Sequence, residues 1–291
     1  MEKIELSRLV VLMFDKKSSC DLSATMILNT NTSMLKIMTF NIRYGLADDG
    51  KNRWENRKSS VIDRIKSFDP DLLGMQECRD DFQAEFIKNN LQDYEFHGVR
   101  RAHDGETALE MAPVLFKKSA FRFVQKGCFW LSETPNVVGS KSWGATFPRT
   151  VTWAELAHIE SGKSFFFFNA HFDYEPSAIG ESARVLKEWI VQNAKGNPIL
   201  VTGDFNADKN SSAYRQLTED GKLLDVYKIA HPTDGAAGTF HGYGQASDPI
   251  DWMLASNHFE VISAEIDRFH EGSLYPSDHY PVTATLHQKS E

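Results

Sequence analysis

The ten residues Ser164–Asp173, with the sequence SFFFFNAHFD, place four consecutive phenylalanines directly before a cluster of polar side chains. A run that is apolar at every position, without alternation, predicts a strand whose two faces are both covered. Ile199–Thr202, with the sequence ILVT, has the same character and is also followed by polar residues. Helices flanking packed sheets would provide this cover, so the pattern indicates an α/β fold.

Apolar runs alternate with amphipathic stretches along most of the chain. The predicted strands span residues 35–40, 72–75, 114–117, 121–130, 150–158, 164–170, 199–202, 252–255, 259–267 and 282–286. The predicted helices span residues 57–68, 80–91, 179–194 and 213–219. Long loops are predicted at about residues 99–112, 131–148 and 231–249. Loops of this length in a compact domain are usually functional or mobile.

Residues 1–33 differ from the rest of the chain, because Ser, Thr and Asn are crowded there and no hydrophobic period persists. Met34–Met38 leads directly into the first predicted strand. We therefore predict a poorly ordered N-terminal extension over residues 1–33 and a single folded domain over residues 34–291.

The chain has 291 residues and a formal net charge of -8. Such a charge repels a nucleic-acid backbone at long range. This lowers the expectation of a polymer substrate without excluding it, because positive charge can be concentrated locally or supplied by a bound cation.

The number of cysteines and the length of the apolar stretches indicate the cellular compartment of the protein. Cys20, Cys78 and Cys128 are too few and too scattered for a disulfide framework. The apolar stretch Leu9–Phe14 is too short to span a membrane. A cytoplasmic protein without a transmembrane segment is expected.

Short polar clusters lie at the ends of apolar runs, in order from one end of the chain to the other. Each cluster supplies a carboxylate, an amide or an imidazole. Buried charged groups are costly unless they are paired or bind a metal, so the clusters predict one shared site. The clusters are Thr39–Arg43, Gly74–Glu77, Asn169–Asp173, Gly203–Asn206, Ile250–Trp252 and Ser277–Pro281.

This ordered set resembles the endonuclease/exonuclease/phosphatase superfamily, whose members are similar to DNase I, over nearly all of residues 34–287. The chain looks closest to compact bacterial-type members with segments such as Trp130–Pro135 and Trp143–Thr150. The resemblance implies a four-layered α/β sandwich, with two mainly antiparallel sheets packed face to face, helices outside and the site at one end. It also implies a divalent-metal-dependent phosphoester hydrolase.

Glu77, Asn41 and Asp278 are predicted on the metal side of the site. A carboxylate at the exit of a strand is the kind of hard oxygen ligand that Mg²⁺ and Mn²⁺ require, which fits Glu77 after the predicted strand 72–75. The resemblance makes Glu77 the main ligand and places Asn41 in the metal and phosphate network. Asp278 is a candidate for the same side. The predicted cofactor is Mg²⁺ or Mn²⁺.

The predicted catalytic residues are His171, Asp204, Asn206, Asp251 and His279. An aspartate at a strand exit can orient or deprotonate a water molecule. The resemblance assigns that role to Asp204, with Asn206 as a phosphate or metal partner. A histidine beside a phosphate works best as an imidazolium, which a carboxylate on its other nitrogen favours, so Asp251 is the proposed partner of His279. The resemblance assigns electrophilic or acid help to His171.

Further residues are predicted at the border of the substrate. Arg149 can bind phosphate through its fork of donors, and a salt bridge at the rim is the alternative. Glu110 and Asn169 are predicted to contact the substrate, and Asp173 to support the site. Aromatic side chains in or beside the long loops can stack a base or sugar ring, or can anchor the loops. These are Trp130, Trp143, Phe240, His241 and Tyr243.

The favoured activity is that of a phosphodiesterase or nuclease, acting on a single-stranded nucleic acid or a small phosphorylated metabolite. A sugar or inositol phosphatase is the alternative. A lipid phosphodiesterase is less favoured, because no exposed apolar hairpin is evident. The alternative from another class is a protein that binds phosphorylated ligands without turnover, but a binder needs neither a water activator nor an imidazolium pair. A monomer is expected.

Overall fold

The computed structural model describes residues 34–105, 107–233 and 237–289. The predicted N-terminal extension, residues 1–33, lies outside the described residues. In the described part of the chain, two six-stranded sheets and a two-stranded ribbon combine with five α-helices.

Strands and helices are numbered separately, each in chain order. The strands are β1 Met34–Asn41, β2 Leu72–Gln76, β3 Cys78–Arg79, β4 Tyr94–His97, β5 Glu110–Met111, β6 Val114–Lys117, β7 Phe121–Trp130, β8 Thr150–His158, β9 Ser164–His171, β10 Ile199–Asp204, β11 Leu223–Asp225, β12 Asp251–Ser256, β13 Phe259–Ile266 and β14 Val282–Gln288. The α-helices are α1 Trp54–Phe68, α2 Phe82–Asn90, α3 Pro176–Asn193, α4 Ser212–Thr218 and α5 Val226–Ala230, and a 3₁₀ helix covers Gly50–Asn52.

The first sheet has the strand order β13-β14-β1-β2-β6-β4, and the second has the order β11-β12-β10-β9-β8-β7. β1 is parallel to β2, and β9 is parallel to β10. The other pairs within the two sheets are antiparallel. β3 and β5 form the separate antiparallel ribbon. The prediction of two mainly antiparallel sheets is confirmed.

The four phenylalanines of β9 connect the inner layers of the fold to the outer ones. Phe165 and Phe167 belong to the buried cluster between the sheets, together with Leu72 of the first sheet. Phe166 and Phe168 belong to a different cluster, which includes residues of α3 and α4. All four side chains are buried. The predicted cover on both faces of this strand is therefore confirmed.

Helices form the two outer layers. Ile62 and Ile65 of α1 and Ile87 of α2 pack in one buried cluster with Met38 and Leu73 of the first sheet. The α3 and α4 helices cover the second sheet in the corresponding way, which completes the four-layered sandwich. No helix in the described ranges combines the length and the apolar content needed to cross a membrane.

Each predicted strand and helix is present, although several begin or end a few residues away from the predicted bounds. Proline at the start of α3 places its first turn three residues earlier than predicted. The short strands β3, β4, β5 and β11 and the helix α5 were not predicted. β5 interrupts the predicted loop 99–112 because it pairs with β3, whose residues come from a distant part of the sequence.

The two sheets approach each other closely at Gly74 in β2. A Cβ atom at this position would lie 2.1 Å from Oγ1 of Thr202 and 2.5 Å from Oδ1 of Asn169, which both belong to the second sheet. Real Cβ contacts are never this short, so glycine is required for this approach. It allows polar side chains to connect the sheets near the ends of β2, β9 and β10.

Candidate active site

Strand pairing brings the predicted site residues to one end of the sandwich. β1 and β2 are parallel, so Asn41 lies beside the last residue of β2, directly before Glu77. β9 and β10 are also parallel, and their register places His171 beside Asp204. β12 runs antiparallel to β10 and starts opposite Asp204, at Asp251. Strands of both sheets therefore deliver polar groups to the same place.

A single amide joins groups from the two sheets. Nδ2 of Asn41 donates hydrogen bonds to Oε1 of Glu77 at 3.0 Å and to Oδ2 of Asp204 at 2.9 Å. The same nitrogen lies 3.5 Å from Nε2 of His279. Oδ1 of this buried amide accepts a hydrogen bond from the backbone N–H of Arg43 at 2.9 Å. Glu77, Asp204 and His279 are thus close enough to face one ligand.

Glu77 leaves β2 in a left-handed backbone conformation, with a φ of 61°. This conformation is unfavourable for a non-glycine residue and concentrates at functional sites. Oε2 of Glu77 accepts a hydrogen bond from the backbone N–H of Tyr44 at 2.7 Å. Burial would raise the pKa of Glu77, but the charges of His171 and Arg43 outweigh burial and lower it to about 2. The carboxylate is ionised at neutral pH, as a metal ligand must be.

His279 and Asp251 form a buried pair. Nδ1 of His279 lies 2.8 Å from Oδ2 of Asp251. Burial would lower the pKa of His279, but the charges of Asp251 and Asp204 raise it to about 10. At neutral pH the ring is therefore an imidazolium, with Nδ1–H bonded to Asp251 and Nε2–H able to donate to a phosphoryl oxygen.

Asp204 lies between two imidazole rings. Its Oδ2 is 3.6 Å from Nε2 of His171 and 3.7 Å from Nε2 of His279. Its Oδ1 accepts a hydrogen bond from the backbone N–H of Asn206 at 3.0 Å. Burial raises the pKa of Asp204, and the charge of Asp251 adds to this effect, whereas the two imidazoles oppose it. A raised pKa makes the carboxylate a stronger base.

Asn206 lines the cleft in a left-handed conformation, with a φ of 46°. Its Nδ2 donates a hydrogen bond to the carbonyl of Phe172 at 2.9 Å. Since its backbone N–H is bonded to Asp204, this residue is placed to orient Asp204 as well as to meet a ligand.

Asp278 lines the same cleft beside Arg43. Its Oδ2 lies 3.5 Å from Nη1 of Arg43. Burial raises the pKa of Asp278, the charges of His279 and Arg43 oppose this rise, and the charge of Glu77 adds to it. A cation bound nearby would favour the ionised form of Asp278.

Another wall of the cleft contains Arg149, His171 and Glu110, with Asp173 behind them. Nη1 of Arg149 is 2.8 Å from Nε2 of His171 and 3.5 Å from Oε1 of Glu110. Nε of Arg149 is 3.3 Å from Oδ2 of the buried Asp173. Oε1 of Glu110 also lies 3.4 Å from Nδ1 of His171. The structure therefore places these four predicted residues together.

The structure does not bring Asn169 to the cleft, so its position does not support the predicted contact with the substrate. Its Nδ2 donates to the backbone carbonyls of Met75 at 2.7 Å and Pro113 at 3.0 Å. Its Oδ1 accepts from Nε2 of Gln76 at 2.7 Å and from Oγ1 of Thr202 at 3.1 Å. Every hydrogen-bonding position of this amide is used between the sheets.

The loop aromatics divide into anchors and cleft residues. Trp130 is buried, and its Nε1 donates to the carbonyl of Arg101 at 2.6 Å, which is the anchoring alternative. The ring of Phe240 lines the cleft with its centroid 5.0 Å from that of His279. The residues that line the cleft do not include Trp143, His241 or Tyr243.

Several residues of the cleft, whose volume is about 320 Å³, are not among the predicted site residues. Arg43 and Arg101 both line it. Arg43 belongs to the first polar cluster, and its place two residues after Asn41 was a signal that could have been used. Arg101 lies in the predicted loop 99–112, away from the polar clusters, and no motif marks it.

The chemistry of the donor set fits a hard divalent cation. Ligand atoms of Glu77, His171 and Asp204 all lie within 4.8 Å of one another. Carboxylate and amide oxygens with few nitrogen donors suit Mg²⁺ and Mn²⁺. Burial, and next to it neighbouring carboxylates, raise the pKa values of Asp204 and Asp278, and a bound cation would favour their ionised forms.

Solved structures share this fold. A crystal structure of an endonuclease/exonuclease/phosphatase from Bacteroides vulgatus has a TM-score of 0.81 and 33% sequence identity, over 89% of this chain and 100% of that chain. A mannosyl-6-phosphatase from Bacteroides thetaiotaomicron has a TM-score of 0.76 and 30% identity, over 87% of this chain and 99% of that chain.

Curated relatives are more distant. Nocturnin of Mus musculus is 22% identical over 87% of this chain and 64% of its own length. The CCR4-Not complex 3'-5'-exoribonuclease subunit Ccr4 of Saccharomyces cerevisiae is 21% identical over 79% of this chain and 35% of its own length. The chain thus spans only part of each of these two relatives. The sequence profile of the Endonuclease/Exonuclease/phosphatase family matches residues 38–279, so this chain belongs to that family.

Proposed function

We propose that this chain is a Mg²⁺- or Mn²⁺-dependent phosphoester hydrolase, in which a water molecule oriented by Asp204 attacks phosphorus directly. Members of the family hydrolyse phosphoesters. The proposal rests on the contacts of the Asn41 side chain, around which groups from both sheets meet. Its amide nitrogen contacts Glu77 at 3.0 Å and Asp204 at 2.9 Å, and lies 3.5 Å from His279. An ionised metal ligand (Glu77), a base (Asp204) and an imidazolium (His279) therefore meet around this amide.

Glu77 and Asp278 are the carboxylates that would hold the cation, together with Oδ1 of Asn41, which accepts the backbone N–H of Arg43 and keeps one further lone pair. When bound, Mg²⁺ or Mn²⁺ supplies positive charge for the phosphoryl and leaving oxygens. Glu77 is ionised because its pKa is lowered to about 2. Asp278, whose pKa burial raises, has its ionised form favoured by a cation at this place.

Asp204 is held in the orientation that a general base needs. Oδ1 accepts the backbone N–H of Asn206, and Oδ2 accepts Nδ2 of Asn41. Each oxygen keeps a further lone pair that can accept a proton from water. Positioned bases of this kind contribute about 10²- to 10⁴-fold to the rate.

His279 and Arg149 stabilise the charge that develops on the phosphoryl oxygens. Nδ1–H of His279 is bonded to Asp251, which leaves Nε2–H as the donor toward the cleft. Arg149 lines the cleft from the wall that also carries His171. Charged donors fixed before the substrate binds need no reorganisation during the reaction.

Two substrate classes fit the site. The predicted nucleic-acid phosphodiester is supported by the exoribonuclease Ccr4 among the relatives. A small phosphoester is supported by the mannosyl-6-phosphatase at 30% identity and by charge pairing. Polyanion binding depends on unpaired cations, but the cleft arginines are paired with carboxylates as Arg43–Asp49, Arg101–Glu110 and Arg149–Asp173. The pairing favours a substrate with one phosphoryl group.

Metal dependence and residue roles are tested with an aryl phosphate monoester and the corresponding diester. We expect a chelator to abolish hydrolysis and Mg²⁺ or Mn²⁺ to restore it. Asp204→Asn and His279→Gln are expected to lower kcat by about 10²- to 10⁴-fold while the protein stays folded. Asp63→Asn, at an exposed position of α1, is the control and should leave kcat unchanged.

Turnover that survives chelation, or an unchanged kcat in both site variants, would contradict the proposal. The outcome that supports the binding alternative is tight association in calorimetry, with no product from either ester in the presence of metal.

A further inference from the structure

We propose that Arg101 and Glu110 form a leaving-group subsite that selects a hydroxyl-bearing group, as found in sugar and polyol phosphates. The inference rests on the proposed phosphoester hydrolysis and adds a substrate class to it. Both side chains line the cleft, and they form an ion pair with 2.7 Å between Nη1 and Oε1.

The pair is held rigidly by the segment that carries it. The backbone N–H of Arg101 donates to the carbonyl of Glu110 at 2.9 Å, so the two residues lie next to each other. Nε of Arg101 donates to the carbonyl of Thr107 at 3.0 Å, and Trp130 donates to the carbonyl of Arg101 at 2.6 Å. The side chains are only 4% and 9% exposed. Little conformational entropy remains to be lost when a ligand binds.

The pair lies next to the reacting groups without belonging to the metal side. β5 carries Glu110 and pairs with β3, which begins directly after Glu77. Oε1 of Glu110 lies 3.4 Å from Nδ1 of His171. A phosphoryl group bound beside His171 would therefore direct one of its ester substituents toward Arg101 and Glu110.

The pair can both donate and accept hydrogen bonds. Among the described residues, no hydrogen bond is formed by Nη2 of Arg101 or by Oε2 of Glu110, although both side chains are held by their other atoms. A guanidinium N–H can donate to a hydroxyl oxygen, and the carboxylate oxygen beside it can accept from the same hydroxyl or from a neighbouring one. A leaving group without hydroxyls would leave the buried pair unsatisfied, which costs binding free energy.

The aromatic ring next to the pair, Phe147, is occupied by contacts within the protein. The guanidinium groups of Arg101 and Arg149 lie 4.6 and 5.4 Å from the centroid of Phe147. This ring is therefore engaged by the protein's own cations, whereas base recognition uses open stacking platforms. A cleft of about 320 Å³ is at the small end for ligand pockets and suits a single small ester.

The test compares glucose 6-phosphate, mannose 6-phosphate and glycerol 3-phosphate with phenyl phosphate, all with Mg²⁺. For the best hydroxylated ester, Arg101→Gln and Glu110→Gln should lower kcat/KM by about 10- to 100-fold more than for phenyl phosphate, mainly through KM. Arg100→Gln is the matched control, because Arg100 is exposed and pairs with Asp80 at 2.7 Å. It should leave every value unchanged.

Arg101→Lys keeps the positive charge but loses the planar fork, and we expect an intermediate loss of selectivity. If the melting temperature of Glu110→Gln shows that this variant does not fold, the selectivity of Arg101→Lys still tests the inference. An equal loss for phenyl phosphate and the hydroxylated esters would overturn the inference, as would wild-type hydrolysis of phenyl phosphate alone. If the wild type hydrolyses none of these esters and no dinucleotide, the proposed function itself is wrong.

Discussion

Asp251 sets the charge of His279 through one contact, 2.8 Å between Oδ2 and Nδ1. The other oxygen, Oδ1 of Asp251, is buried and has no hydrogen-bond partner within the described ranges. The imidazole is thus the side-chain partner of this carboxylate, although the charge of Asp251 also raises the pKa of Asp204. A buried carboxylate with one partner is costly for stability, and such a cost is typical of functional sites.

Asp251→Asn is expected to lower the pKa of His279 from about 10 toward its ordinary range, because the amide keeps the shape of the contact but removes the charge. The measurement is a titration of the ring ¹⁵N shifts by NMR, with the other histidines as internal references. An unchanged titration of His279 would show that another group sets its charge.

The same pKa has a consequence for stability. The pKa of His279 in the folded protein, about 10, is above its ordinary value of about 6.5. The stabilisation from its protonation is thus complete below about pH 6.5 and is lost as the pH rises through about 10. In urea unfolding, the advantage of the wild type over His279→Gln should shrink between about pH 6 and about pH 10.5. A constant difference would argue against a buried imidazolium.

At the scale of elements, Asn169 connects the strands that carry the site. It accepts from Gln76, the neighbour of Glu77, and from Thr202, two residues before Asp204. It also lies two residues before His171 on β9. One buried amide thus fixes the exits of β2, β9 and β10 relative to one another, which is a positioning role.

Asn169→Ala is expected to lower the free energy of unfolding by about 2–4 kcal/mol, because it removes a donor from the buried carbonyls of Met75 and Pro113 and the acceptor of Gln76 and Thr202. Asn193→Ala is the control, since this exposed asparagine also donates to one backbone carbonyl, that of Trp189. It should cost about 0.5 kcal/mol or less. Equal effects in chemical unfolding of the two variants would contradict the role of Asn169.

Long strands such as β9 could be predicted from the sequence because their own residues carry the apolar pattern. β3 and β5 could not be predicted, since each depends on a partner from a distant part of the chain. Asn169 and His171 share a face of β9 by alternation. The sequence does not show how deep along the strand the cleft begins, so it cannot distinguish a substrate contact of Asn169 from a buried position. Arg101 lines the cleft beside Glu110, to which its backbone is hydrogen-bonded, and no local sequence pattern indicates this position.

At the scale of the whole molecule, the described sandwich contains its own core from Met34 onward, and Met34 already pairs with His287 of β14. A chain that begins at Met34 is expected to keep the melting temperature and the hydrolytic rate of the full chain within error. A chain that begins at Ile42 lacks β1 and should not fold, because β1 lies between β14 and β2. A large loss in the first deletion would refute the predicted extension.

The pairing of β1 with β14 joins nearly the first and the last described residues in the interior of one sheet. Asn41 ends β1, whereas Asp278 and His279 come just before β14. During translation, an incomplete polypeptide therefore has neither a finished sheet nor an assembled reaction centre. We expect products of premature termination to be inert and to expose an unpaired strand edge that invites aggregation.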